Sequence, residues 1–308
     1  MSADASALRK GLPEVPYGTV VGGDYMILRP LSRGAMGALY VVEQLSTAGQ
    51  RALKILRREY VSDETLFKRF EREAQMAARI PSEHVAQIIA AGVDKKLNLP
   101  WIAMELLEGQ HLGHHVEENG PMPKAMVRGI FEQLCHAISA AHKIGIVHRD
   151  LKPANIFLSD ARRVGAEKMV KVLDFGVARI LAENLTVSGT PLGTPSWMSP
   201  EQAREEPTST ATDVWALGLL AFYMLTGRQF WRACANPSAT ANNEVLVMAE
   251  IVHGPLPIAS ARAMELGVHE HIPGGFNEWF ALCVARSSSE RFVTAAAAYA
   301  ALARALAP

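Results

Sequence analysis

Cysteine is scarce: Cys135, Cys234 and Cys283 stand far apart and odd in number in a chain of 308 residues. None belongs to a CxxC pair, which argues against a zinc site or a disulfide framework and fits a reducing cytoplasm. A surplus of either charge is also missing. Lys plus Arg is 31 and Asp plus Glu is 31, a formal net charge of zero. That balance argues against a nucleic-acid binder, because a general phosphate footprint needs a basic excess. Long apolar runs are absent too. The longest, Val214 to Leu225, is too short to span a bilayer, and the opening Met-Ser-Ala-Asp carries no apolar signal core. No membrane segment is therefore expected in this chain, and a cytoplasmic location is. Pro308 is not an obvious natural stop, so a membrane tether enters only if the native chain continues past it. No internal repeat is visible. Apolar residues at 49 % exclude a disordered chain and leave room for one large domain or two lobes.

The texture changes along the chain. Residues 1–24 are small and polar with scattered Pro and Gly and read as a flexible tail. Strands are expected at Tyr25–Leu31, Ala38–Gln44, Arg51–Leu56, Val85–Ala91 and Trp101–Leu107. One helix, Asp63 to Ile80, falls among them, with Ser62 as N-cap and Pro81 as its stop. After Gly109 helices dominate: Met126–Ile144, Asp213–Thr226, Glu244–His253, Phe276–Arg286 and Thr294–Leu306. Short strands Ile156–Leu158 and Val170–Leu173 interrupt them. A β-rich part, 25–107, thus precedes a helix-rich part, 108–308, and a cleft between two lobes is a default place for a ligand.

Several spacings carry chemistry. Leu31-Ser32-Arg33-Gly34-Ala35-Met36-Gly37 lies between two strands, where small residues let backbone amides approach phosphate oxygens. Alone it is no more than a hairpin turn. Strand alternation puts Ala52, Lys54 and Leu56 on one face, so Lys54 must snorkel or find a partner. In the helix, Leu66, Phe70, Glu73, Ala77 and Ile80 form one stripe whose only charge is Glu73. A carboxylate in an apolar stripe wants a cation, and Lys54 is the candidate. The strongest signal is His148-Arg149-Asp150-Leu151-Lys152-Pro153-Ala154-Asn155, followed by Asp174-Phe175-Gly176 directly after a strand. Two acids and an amide on strand-fed loops suit a hard cation that shares its oxygen shell with phosphates. Six matching positions arise by chance in a chain this long with odds of roughly 10⁻⁵.

With these motifs in this order, residues from about Tyr25 to Leu306 resemble the eukaryotic-like Ser/Thr protein kinases, particularly their bacterial branch. The resemblance implies an α+β, two-lobed fold: a small β-rich N-lobe with one key helix and a larger helical C-lobe. It implies transfer of the γ-phosphate of ATP to Ser or Thr hydroxyls of a protein substrate, with Mg2+ as cofactor and Mn2+ as its substitute. On that template Ser32, Gly34 and Gly37 cover the phosphates, Lys54 holds the α- and β-phosphates, and Glu73 is its ion-pair partner. Ala52 lies beside the nucleotide, Met104 is the gatekeeper, and Glu105 to Leu107 form the hinge that bonds the adenine. Asp150 accepts the substrate hydroxyl's proton, Lys152 touches the transferring group, and Asn155 and Asp174 hold the metal. Thr194 fixes the substrate loop, Glu201 pairs with Arg291, and Asp213 holds the catalytic loop by its backbone. Arg149 and Arg179 would receive a phosphate placed by autophosphorylation on Thr186, Ser188 or Thr190. A homodimer would serve such phosphorylation in trans.

Two positions depart from the family pattern. Ser32 replaces the first loop glycine, which bears on nucleotide affinity and is the one feature that favours a pseudokinase, a binding module of the same fold. Ser199 replaces the alanine usual before Pro200, a small-for-small exchange expected to be harmless. A small-molecule kinase is the other alternative, opposed by Lys152 and the Thr194–Glu201 segment. Trp231 to Gly275 is longer than a minimal kinase needs and reads as a docking surface or a long connection. His111, His114 and His115 read as a solvated helix end rather than a metal site.

Overall fold

The computed structural model describes residues 15–34, 37–57, 64–160, 168–175, 195–235 and 242–307. They fall into two compact units, 15–79 with 86–108, and 80–85 with 109–175 and 195–307.

The first unit is a sheet with one helix: β1 (Val20–Val21), β2 (Tyr25–Gly34), β3 (Gly37–Gln44), β4 (Gly49–Leu56), α1 (Glu64–Ala77), β5 (Ile88–Asp94) and β6 (Leu99–Glu105). Every pairing is antiparallel, in the order β1-β2-β3-β4-β6-β5. Period-two alternation sends Tyr25, Ile27, Tyr40, Val42, Leu53, Ile55 and Trp101 into a single core on one face. Residues 15–24 do not behave as the tail expected of them. Val15 and Val21 are buried in that same core, and Gly18 and Thr19 bond to Ile27 of β2. The physical reason is the Gly22-Gly23 pair, both at positive φ, which turns the Val20–Val21 pair back onto β2. β6 starts and ends two residues earlier than the apolar run suggests. Asp94 Oδ1 accepts the Lys96 and Leu97 amides, both at 2.9 Å, which closes a hairpin tight enough to pair Asp94 with Leu99.

The second unit continues with β7 (Gly109–His111), α2 (Leu112–Asn119), α3 (Lys124–Lys143), β8 (Ile156–Ser159), β9 (Met169–Val172), α4 (Pro200–Ala203), α5 (Thr210–Thr226), α6 (Asn242–His253), α7 (Ala259–Glu265), α8 (Phe276–Cys283) and α9 (Ala295–Ala305). Its three-stranded sheet runs β7-β8-β9. Gly109, at φ 133°, is required there, because a Cβ would collide with the Leu158 carbonyl. α5 is the central helix: apolar nearly all round, it is buried without a break from Thr212 to Thr226. A capping box of Ser209 and Thr212 starts it, and left-handed Gly227 ends it. α8 packs so close that a Cβ on Gly218 would lie 2.6 Å from that of Cys283. The described parts of the Trp231 to Gly275 stretch, 231–235 and 242–275, are built structure. Buried Arg262 donates to the Phe230 carbonyl at 2.6 Å and to Glu265 at 2.9 Å, and Trp231 Nε1 donates to the Ser196 carbonyl at 2.9 Å.

Val85 was expected to open a strand of the first sheet. It instead forms a parallel bridge with Val172 of β9. The neighbouring groups explain this: the Val172 amide donates to the His84 carbonyl at 2.8 Å, and Ser82 Oγ sits 2.9 Å from His136 Nδ1 on α3.

Candidate active site

In the first unit, β2 and β3 close their hairpin at the pair Gly34 and Gly37, with Ser32 opposite Leu39. Gly37 has a structural duty as well, since a Cβ there would strike the Ile55 carbonyl of β4. Lys54 pairs with Leu39 on one side and Ile102 on the other, and Ala52 with Met104. All of these lie on the face opposite Leu53 and Ile55, so the lysine projects away from the apolar core. α1 buries Phe70, Ala74 and Ala77, with Glu73 half-buried in the same stripe. β6 ends where the Glu105 amide donates to Gln87 O at 3.0 Å and Glu105 Oε1 accepts the Gln87 amide at 2.8 Å. Leu107 follows in the short segment between β6 and β7.

The second unit assembles the loop between α3 and β8 around two buried groups, His148 and Asp213. Asp213, one turn into α5, accepts the His148 amide through Oδ2 and the Arg149 amide through Oδ1, both at 2.9 Å. His142 of α3 adds Nε2 to the same Oδ2 at 2.7 Å. His148 is hydrogen-bonded through both ring nitrogens. Nδ1 accepts the Asp150 amide at 3.2 Å, so the proton sits on Nε2, which donates to the Leu173 carbonyl at 2.8 Å. The Leu173 amide in turn donates to Asn155 O at 2.9 Å. The chain segments carrying Asp150, Asn155 and Asp174 are thereby laced together, and Phe175 closes on His148 with ring centroids 4.6 Å apart.

Within this lacing Asp150 has both carboxylate oxygens engaged. Lys152 Nζ lies 3.0 Å from Oδ1 and 2.9 Å from Oδ2. Asn155 Nδ2 donates to Oδ2 at 2.9 Å and to the Asp150 carbonyl at 2.7 Å. Because the amide nitrogen of Asn155 is committed to Asp150, the ligand it presents elsewhere is an oxygen. That donor suits a hard divalent cation, as does the Asp174 carboxylate. Arg149 and Asp174 both adopt positive φ, 68° and 59°. Non-glycine residues hold that conformation at a cost of about 1–3 kcal/mol, met by the surrounding bonds, and such outliers gather at functional sites.

Further along, Glu201 on α4 receives both terminal nitrogens of Arg291 at 2.8 Å and the Thr212 hydroxyl at 2.8 Å. Burial pushes its carboxyl up, but the hydrogen bonds and charge of Arg291 prevail and hold it below the ordinary value. The Arg291 guanidinium also stacks 5.0 Å from the Trp215 ring centroid. Thr186, Ser188, Thr190, Arg179 and Thr194 lie outside the described residues. Near β7, exposed His114 pairs with Glu118 at 3.0 Å, and half-buried His115 bonds Gln110 at 3.0 Å. Among the described residues no group of three His, Cys, Asp or Glu could hold a metal ion.

Sequence reasoning missed two members of the loop's support. His142 gave no signal, being one histidine in an amphipathic helix. Gln202 did give one, since Ser199 followed three residues later by Gln is a capping-box pattern.

Residues 25–297 match the protein kinase domain family, and the chain belongs to it. Bacterial proteins are among its relatives. The serine/threonine-protein kinase Pkn1 of Myxococcus xanthus is 38% identical over 208 residues, which is 67% of this chain and 29% of that protein. PrkC of Bacillus subtilis, also a serine/threonine-protein kinase, is 36% identical over 212 residues, 68% of this chain and 32% of that protein. The match thus spans about a third or less of these relatives. Among solved structures, the kinase domain of Mycobacterium tuberculosis PknI has the same fold, with a TM-score of 0.70 at 22% identity, covering 94% of this chain and 98% of that one. No described helix is long and apolar enough to cross a membrane.

Proposed function

We propose that this chain is an ATP-dependent Ser/Thr protein kinase acting on protein substrates in the cytoplasm. The observation that carries the reading is the Asp150 carboxylate, held by Lys152 and Asn155 at 2.9–3.0 Å, with the Asp150 backbone amide donating to His148 Nδ1 at 3.2 Å. Phosphoryl transfer asks little covalent chemistry of a protein and much positioning. Asp150 orients the substrate hydroxyl and accepts its proton as the oxygen bonds to the γ-phosphorus. The bond from that phosphorus to the ADP oxygen breaks, and ADP leaves. Lys152, already at Asp150, offers its charge to the transferring group. Lys54, with Glu73 as its partner, holds the α- and β-phosphates. Ser32, Gly34 and Gly37 cover them, while Ala52, Met104, Glu105 and Leu107 frame the base. Asn155 and Asp174 would hold the divalent cation, for which Mg2+ is the choice and Mn2+ the substitute, and which when bound neutralises phosphate charge.

Thr194 is assigned to the substrate loop. Thr186, Ser188 and Thr190 are the assigned acceptors of autophosphorylation, read by Arg149 and Arg179 and carried out in trans within a homodimer. The test is incubation with labelled ATP, magnesium and a generic basic protein, followed by mapping of the labelled residues. Label on Ser and Thr of that protein and on 186–190 supports the reading. ATP-dependent thermal stabilisation without any transfer would replace it with a pseudokinase.

A further inference from the structure

Ser199 departs from the family's alanine, yet its side chain is engaged. It is fully buried and caps α4. Its Oγ accepts the Gln202 amide at 3.4 Å, while its own amide and hydroxyl donate to Gln202 Oε1 at 3.1 and 3.3 Å. Those bonds hold the side-chain oxygen of Gln202 at the cap and turn its nitrogen outward. Nε2 then donates to the carbonyl of Arg149 at 2.7 Å, across 53 residues of sequence.

Arg149 is the left-handed residue directly before Asp150. Asp213 holds its amide from one side and Gln202 holds its carbonyl from the other. An L-residue at φ 68° needs such over-determination, or it relaxes and takes the next residue with it. Asp150 is that next residue.

We propose that Gln202 is a positioning residue for Asp150, acting as one unit with Ser199, so that the start of α4 sets the aim of the catalytic loop. The kinetic part of this inference rests on the kinase reading above, and the structural part does not. Two variants separate the clamp from the cap. Gln202→Glu keeps an oxygen for Ser199 but replaces the donor facing Arg149 with an acceptor, and Gln202→Met removes both. Each is compared with wild type by amide hydrogen exchange at Arg149 and Asp150 and by steady-state kinetics per folded molecule.

In both variants, exchange at these two amides is expected to quicken about tenfold, and kcat to fall about tenfold or more with KM for ATP held within about twofold. Ser199→Ala should give a smaller effect in the same direction. Ser199→Ala combined with Gln202→Met should be no worse than Gln202→Met alone. Unchanged exchange and unchanged kcat in Gln202→Glu, with Asp150→Asn still inactive, would overturn the proposal. If wild type itself transfers no phosphate, the kinase reading fails and the exchange data alone decide the positioning role. If Gln202→Glu does not fold, Gln202→Met carries both readouts.

Discussion

Asp150 is held by a lysine ammonium on both oxygens and by an amide N–H on one. In the proposed function the side chain of Asn155 has two duties that can be pulled apart. Asn155→Asp keeps an oxygen for a cation but sets a second carboxylate where an N–H now donates to Asp150. Two carboxylates at hydrogen-bond distance repel, so Asp150 should leave the position that the Asn155 amide gives it, and kcat should fall about tenfold or more. Steady-state kinetics of the two proteins check this, and an unchanged kcat would show that the Asn155 amide does not position Asp150. Lys54 and Glu73 are read from the face and stripe they occupy, and the proposed function gives them the nucleotide phosphates.

Among the elements, α4 and α5 are joined through one buried ion pair. Glu201 accepts from Arg291 and from Thr212 on α5, and Arg291 also donates to the Ala211 carbonyl at 2.8 Å. Removing one partner of such a pair leaves the other charge buried, at a cost of about 3–5 kcal/mol. Glu201→Ala should lose that much in urea unfolding, and a loss below about 1 kcal/mol would contradict the role given to the pair. The pH dependence has a definite sign. The folded carboxyl titrates below the ordinary 4.5, so its contribution is complete above that value and fades as pH falls through the folded value. The gap between wild type and Glu201→Gln should close in that acid range. The order of elements was legible because strand alternation and helix stripes are local. β1, β7, α4 and α7 were missed because each is short. β1 and β7 exist through pairing with distant strands, which no window of sequence displays.

For the whole molecule, the motif residues were readable because they cluster in sequence, whereas the network that holds them is long-range. His148 and Asp213 lie 65 residues apart, Gln202 and Arg149 lie 53, and Glu201 and Arg291 lie 90. The last pair and the hold of Asp213 on the catalytic-loop backbone were named in advance, through the family resemblance; Gln202 was not. The segment 80–85 is a second case: His84 is tied to the Val170 carbonyl and faces His136 edge-on, a packing no periodicity announces. Burial pushes the His84 ring below the ordinary 6.5. His136 and Lys171 push the same way, against the Val170 carbonyl and Glu83. The neutral ring is the one the fold favours. Its contribution is complete above 6.5 and is lost as pH falls from there toward the folded value. Melting curves at about pH 7.5 and about pH 5.5 should show a drop that His84→Gln reduces. An equal drop in both proteins would remove His84 from the account.

The central claim is that Asp150 receives a hydroxyl proton during phosphoryl transfer. Its most direct test is the rate of label transfer from ATP to a basic protein by wild type and by Asp150→Asn, with ATP binding measured in parallel. A fall of about a hundredfold or more with ATP binding preserved is the predicted result. Turnover near that of wild type in Asp150→Asn would contradict it.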